Sequence, residues 1–254
     1  MDLGFVFQFA TEDFRTKYAG SVLGMAWAFL QPVITVVLYW FIFQLGFRSQ
    51  PVANFPFILW LVSGLIPWFF ISDAISNATG SLIEYSYLVK KVLFNIDILP
   101  LVKVVSVMFV QIFLLLFTVV LFMIYGYFPD RYYLQLLVFF VYAFLLVCGI
   151  VYFSATVYVF FKDTMQIVGV VLQIMFWATP IVWDINIMSP KIQMVLKFNP
   201  VYYVIQGYRN TFVKKVWFWE MGKSGIYYWM VAIVIFIAGR VVFQKCKAHF
   251  ADVL

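Results

Sequence analysis

QIMFWATPIVWDINIMSPKIQMVLKFNPVYYVIQGYRNTF, residues 173–212, is apolar enough for a membrane interior yet cannot cross one as a single helix. Pro180, Pro190 and Pro200 divide it. A spanning helix needs about 20 uninterrupted apolar residues, and each proline removes an N–H and crowds the turn before it, so the pieces are about half the required length. Interrupted backbone is tolerated at membrane depth only where protein covers it or water reaches it. The stretch therefore predicts short, broken helices. They can form a re-entrant element that lines a cavity or caps a pathway, or an interfacial loop whose aromatics sit among the headgroups.

The rest of the chain agrees with a membrane setting. Of 254 residues, 65% are hydrophobic and 11% charged, too few charges to cover a soluble globule of this size. Cys148 lies deep in an apolar run and Cys246 in a basic tail that cannot reach it, so no disulfide is expected. In a membrane protein a net charge of +6 encodes orientation and headgroup contact, and no nucleic-acid partner is expected. Residues 1–18 carry Glu12, Asp13, Arg15 and Lys17 where a secretory signal would have its apolar core, so this segment is expected to be retained. Within it Leu3, Val6, Phe7, Ala10, Phe14 and Tyr18 recur at helical spacing opposite Gln8, Thr11, Glu12 and Arg15, which predicts an amphipathic helix lying in the interface.

Six spans are expected, at about residues 22–46, 55–75, 102–128, 132–161, 164–183 and 226–243. The first opens with Gly20 and Gly24, a small-xxx-small spacing that would let another helix approach closely. Along it Trp27, Gln31, Thr35 and Tyr39 step by four residues, and Gln166, Gly169, Gln173 and Trp177 make a similar stripe on the fifth. Such neutral polar and aromatic stripes can line a pore or hydrogen-bond helix to helix. Between the second and third spans, residues 78–101 carry Leu82, Tyr85, Leu88, Val89 and Val92 at helical spacing, an exposed amphipathic helix; Lys103 at the next span is expected to snorkel to the surface. The architecture is thus all-α and a single transmembrane domain over residues 1–254: an interface helix (1–18), helices one to five (22–183), a re-entrant segment (184–224), and helix six with its tail (226–254).

Six spans place both termini on one side. Of the 17 lysines and arginines, nine fall on that side and eight opposite, with six of those eight in the broken stretch and its tail. The short loops alone, holding Arg48 and Arg131 opposite the termini, give the clear bias: termini inside.

Several chemistries are missing. Gly222-Lys223-Ser224 looks like the end of a phosphate-binding loop, but the glycine required five residues earlier is Trp217. Asp73, Asp97, Asp130 and Asp163 stand singly and the lone His249 is terminal, so no metal site for work on a lipid phosphate is read. The spans also lack buried acids or arginines suited to a proton relay. An intramembrane enzyme of lipid-linked sugar assembly and an ion-coupled transporter are both disfavoured, and whatever moves the machine is powered from elsewhere.

The order of several pieces resembles a known family, the membrane permease subunit of type-2 ABC exporters, in particular those that export lipid-linked polysaccharide of the O-antigen kind. DFRTKYAGSVLGMAW (13–27) is similar to the family's amphipathic lead-in to its first helix, and EYSYLVKKVLFNIDILP (84–100) resembles its loop with paired basic residues. FKDTMQIVGVVLQIMFWATPIVW followed by NPVYYVIQGYRN resembles its fifth helix, the Thr179-Pro180-Ile181 break and the Asn199-Pro200 to Tyr208-Arg209 return. The likeness covers about residues 5–245, and Lys162-Asp163 departs from it where arginine would be expected before the aspartate.

The resemblance implies a homodimer in a bacterial inner membrane, both termini cytoplasmic, enclosing a channel above two copies of a separate ABC ATPase. ATP and magnesium would belong to that partner, and this chain would hold no cofactor or metal and catalyse nothing itself. Docking would fall on the exposed helix at Glu84, Tyr85, Leu88, Lys90 and Lys91, with help from residues 1–18. The stripes Trp27, Gln31, Thr35, Tyr39 and Gln166, Gln173, Trp177 would face the path, whose aromatics suit sugar rings as well as they suit core packing or membrane anchoring. Pro180, Asn199, Pro200, Tyr208 and Arg209 would form an outer gate, with Tyr202, Tyr203 and Tyr208 at headgroup depth. Arg209 could hold the pyrophosphate of a departing lipid carrier or pair with Glu220 or Asp184 as a structural link. Teichoic acid, capsule or a drug are alternative cargoes.

Overall fold

Every regular element among the described residues, 3–46, 55–90 and 94–254, is a helix in the computed structural model. Helix α1 (Leu3–Lys17) is followed by α2 (Ala26–Trp40), which runs on through a π-helical turn to Gly46. Next come α3 (Phe57–Thr79), the short α4 (Ser81–Glu84) and α5 (Ser86–Val89), and the long α6 (Ile98–Ile124). A turn containing Gly126, at φ +85°, and Asp130, whose carboxylate accepts the Tyr132 N–H at 3.0 Å, leads into α7 (Leu136–Phe160). Then follow α8 (Thr164–Ala178), α9 (Pro190–Lys197), α10 (Pro200–Arg209), α11 (Lys223–Cys246) and α12 (Phe250–Val253).

Five of these helices are long and apolar enough to cross a membrane: Ala26–Gly46, Phe57–Thr79, Ile98–Ile124, Arg131–Phe160 and Ser224–His249. The expected fifth span is shorter than its sequence pattern. It stops at Ala178, not Trp183, because Pro180 disfavours helical backbone at Thr179, which sits at ψ 134°. Its 15 residues reach roughly 22 Å against a hydrocarbon core of about 30 Å.

Helix α3 is the centre of the bundle. Leu59, Leu61, Val62, Leu65 and Ile66 are wholly buried, so all its faces are covered, by α6, α7, α8 and α10. Such a helix needs apolar residues all round and shows little periodicity. Helices α7 and α11 pack closest of all. A Cβ on Gly239 would fall 2.1 Å from the Gly149 carbonyl oxygen, and one on Gly149 would fall 2.6 Å from the Phe236 backbone. Gly20 and Gly24 make no such crossing within the chain. Those two glycines precede α2 in a turn, at φ +87° and +51°, with open space around them; they serve a left-handed backbone that side chains disfavour.

Helix α1 lies against α6 through Val6 and Ala10, which join Ile98 and Val102 in one apolar cluster. The sequence pattern put Phe7 in the apolar register, yet it is 59% exposed, and Asp13, which that pattern assigned to neither face, is buried. The helix has rotated about one position to place that carboxylate inside. The tail also packs inward: Phe243 and Phe250 share a cluster with Leu82, Val89 and Leu99, so the end of the bundle holding both termini includes α4 and α5.

Candidate functional site

At the end opposite the termini, the break after α8 is held from two sides by α10. Asn199 caps α10, its Oδ1 accepting the Val201 N–H at 2.9 Å, while its Nδ2 donates to Thr179 Oγ1 at 2.7 Å. Pro200 occupies the first helical position, where a missing N–H costs nothing. From the other end of α10, Arg209 donates to the carbonyls of Pro180 at 2.5 Å and Ile181 at 2.6 Å, and its guanidinium lies 3.6 Å above the Trp60 ring. Gly64 makes room for it: a Cβ there would be 2.9 Å from both Arg209 Nη2 and the Ile181 carbonyl.

Arg209 is 3% exposed, and among the described residues it makes no ion pair with Asp184 or Glu220. The carboxylate partners expected from sequence are replaced by backbone carbonyls, which the proline break leaves without helical donors. The tyrosines are likewise not at a surface. Tyr202 and Tyr208 are buried and Tyr203 wholly so; Gln111 donates to the Tyr208 hydroxyl at 3.3 Å, and Tyr203 stacks on Tyr228 at 4.8 Å. Thus Pro180, Asn199, Pro200 and Arg209 come together around the break, and Tyr208 packs beside them in the core. Helix α9 differs, with Ile192, Met194 and Val195 all exposed.

The two stripes are together only partly exposed. Helix α2 buries Ala28, Pro32 and Val36, which leaves Trp27 and Gln31 exposed and Thr35 and Tyr39 half-buried on other faces. Gln31 and Thr35 line a cavity of about 360 Å³ with Lys17, Asp73 and Asn77. Lys17 donates to Asn77 Oδ1 at 2.8 Å, and burial lowers its pKa against the opposing pull of Asp73. On α8, Gln166, Gln173 and Trp177 are exposed, and Tyr39 meets Phe176 at a centroid distance of 5.8 Å.

At the terminal end, the expected docking helix is two short turns, α4 and α5, with Lys91 outside the described residues. Tyr87 and Lys90 are exposed, Glu84 is exposed, and Tyr85 and Leu88 are half-buried. Lys103 does not snorkel out. At 6% exposure its ammonium pairs with Asp13 and with Glu84, each at 2.6 Å, and lies 4.9 Å from the Tyr85 ring, while the Tyr85 hydroxyl donates to Asp13. Nearby, Asp97 accepts from Arg240 at 3.1 Å, from Gln244 at 2.6 Å and from Lys247, which ties the start of α6 to the end of α11. Burial alone would raise the Asp97 pKa, but these donors bring it below the ordinary carboxylate value.

The sequence profile of the ABC-2 type transporter matches residues 6–213, most of the chain and all of the elements just described as far as α10. The chain belongs to the ABC-2 type transporter family. It is similar over its whole length to an O-antigen export system permease protein RfbA of Klebsiella pneumoniae, at 26% identity with 97% of that relative covered. An RfbA of Myxococcus xanthus is 26% identical over 98% of this chain and 95% of its own. The polysialic acid transport protein KpsM of Escherichia coli is 26% identical over 76% of this chain and 75% of its own.

Within this ABC-2 chain the structure adds Asp13, Lys103, Trp60 and Thr179 to the residues chosen from sequence. For Lys103 a signal existed: a lysine several residues into a strongly apolar run needs a partner, and α1 offers acids. Thr179 stood in the proline break already singled out, but its partner Asn199 was not legible, and for Trp60 no signal existed, since both contacts join residues distant in sequence.

Proposed function

We propose that this chain is the membrane subunit of an ABC exporter that moves a lipid-linked polysaccharide of the O-antigen type across a bacterial inner membrane. The observation that carries it is the end-to-end similarity to O-antigen export permeases of the same length, not of one segment only. Two copies enclose the path, with the exposed stripes of α2 and α8 facing it, and two copies of a separate ABC ATPase supply ATP hydrolysis. The termini, α4 and α5 lie in the cytoplasm. Exposed Tyr87 and Lys90 and the fixed Glu84 then form a docking face whose movements pass through Lys103 into α1 and α6.

At the opposite end, α9 and α10 dip into the outer leaflet as the hairpin between the fifth and sixth transmembrane helices. Here α8 and the Thr179–Trp183 segment serve together as the fifth. The clamp of Asn199 and Arg209 on the break makes α10 and α8 move as one body, so the gate opens by displacing α9 and the α8–α10 unit. A capsular polymer is the second reading, favoured by the KpsM likeness but over a smaller share of the chain.

Complementation tests the reading. In a strain lacking its own O-antigen export permease, this chain with its ATPase should restore polymer at the cell surface, and an ATPase variant unable to hydrolyse ATP should not. Surface polymer restored without ATP hydrolysis, or polymer that stays inside despite normal insertion of both subunits, would contradict it.

A further inference from the structure

Beside the clamp is a cavity of about 420 Å³ lined by three cationic side chains and one carboxylate. Arg209 forms its buried side above Trp60, and Lys197 at the end of α9 and Lys214 after α10 line it from the open side. Neither lysine ammonium has a hydrogen bond or ion pair among the described residues. The single acid there, Asp184, is committed to its own turn, its Oδ1 accepting from both the N–H and the side-chain amide of Asn186 at 2.9 Å. Arg209 spends its two terminal nitrogens on neutral carbonyls and leaves Nε–H without a partner. Three cations against one carboxylate leave two positive charges around the opening, with buried Arg209 behind the exposed lysines.

We infer that this cavity is a binding site for a phosphate-class dianion, held by Lys197 and Lys214 over the fixed charge of Arg209. A phosphoryl group brings about two negative charges and several acceptor oxygens, which matches both the uncompensated charge and the free ammonium donors. The group arrives either as the diphosphate head of a lipid-linked cargo or as a free phosphate. The site itself stands on the cavity; assigning its ligand to a cargo rests on the export reading.

The full chain in nanodiscs of uncharged phosphatidylcholine should bind radiolabelled inorganic pyrophosphate or farnesyl diphosphate saturably, and rising salt should weaken binding. Farnesyl diphosphate at least tenfold tighter than pyrophosphate identifies a lipid head; equal affinities identify a free oxyanion. The exposed pair Lys197→Ala/Lys214→Ala should keep its thermal transition and lose at least tenfold in affinity, and Lys197→Glu/Lys214→Glu should abolish binding. Absence of saturable binding by either probe, or affinity in the double alanine variant within twofold of the parent, would overturn the site. Neither polymer nor ATPase is present, so this outcome is independent of the export assay.

Discussion

Arg209 shows how a single side chain can be found in a sequence while its partners are not. Its position at the end of a proline-bounded helix was visible, but the carbonyls it serves are 28 and 29 residues away in the chain and Trp60 is farther still. Arg209→Ala leaves two buried carbonyls unpaired, at about 1–3 kcal/mol each, and should lower folding yield and the melting temperature in detergent. Arg209→Lys should rescue little, because one ammonium cannot reproduce a planar fork over an indole. Charge swaps at Asp184 or Glu220 should not restore it; rescue by either would show that a carboxylate is the true partner. Asp97 is the second residue with a measurable signature. Its folded pKa is depressed, so the stability it adds is present above the unfolded carboxylate value near 4 and is lost as pH falls through the folded value. Asp97→Asn should therefore cost about 2 kcal/mol at neutral pH and flatten the acid limb of the stability curve. An unchanged acid limb would mean that Arg240 and Lys247 are not its energetic partners.

Among the elements, the long apolar spans were legible because composition alone distinguishes them, whereas contacts between helices were not. Small residues occur in many places, and sequence spacing chose Gly20 and Gly24 when the close crossing is Gly149 against Gly239. Gly239→Leu should drive α7 and α11 apart and prevent recovery of folded protein, while Gly24→Ala should cost only the strain of a left-handed turn, about 1 kcal/mol; equal losses in the two variants would contradict the crossing. The Lys103 cluster joins α1, α4 and α6 at the terminal end. Lys103→Met leaves Asp13 as a buried unpaired charge, a loss of about 3–5 kcal/mol, and adding Asp13→Asn should recover much of it. If the double variant is no more stable than Lys103→Met alone, the pair is not coupled. The broken stretch was correctly read as short helices because proline chemistry is local. The burial of its second helix, α10, was missed, because aromatic residues suit a headgroup layer and a packed interior equally well.

For the whole molecule, the proposal that two copies enclose the path places exposed Gln31 of α2 and Gln173 of α8 at or near the seam. Cysteines replacing Gln31 and Gln173 should crosslink between copies, while cysteines on the buried face of α2, such as Val36→Cys, should not; crosslinking on every face would remove the seam. The polysaccharide-export reading was legible only through the resemblance of ordered motifs, since neutral stripes serve many cargoes. The central claim is ATP-driven passage of a lipid-linked polymer through this chain, and proteoliposomes measure it directly. The permease and its ATPase are reconstituted with the ATPase facing outward, lipid-linked O-antigen is supplied on that face, and polymer protected from an external glycosidase is counted with time. The account predicts that protected polymer accumulates only with hydrolysable ATP and only when the permease is present. Protection that appears equally without ATP, or none despite robust ATP turnover by the intact complex, would contradict it.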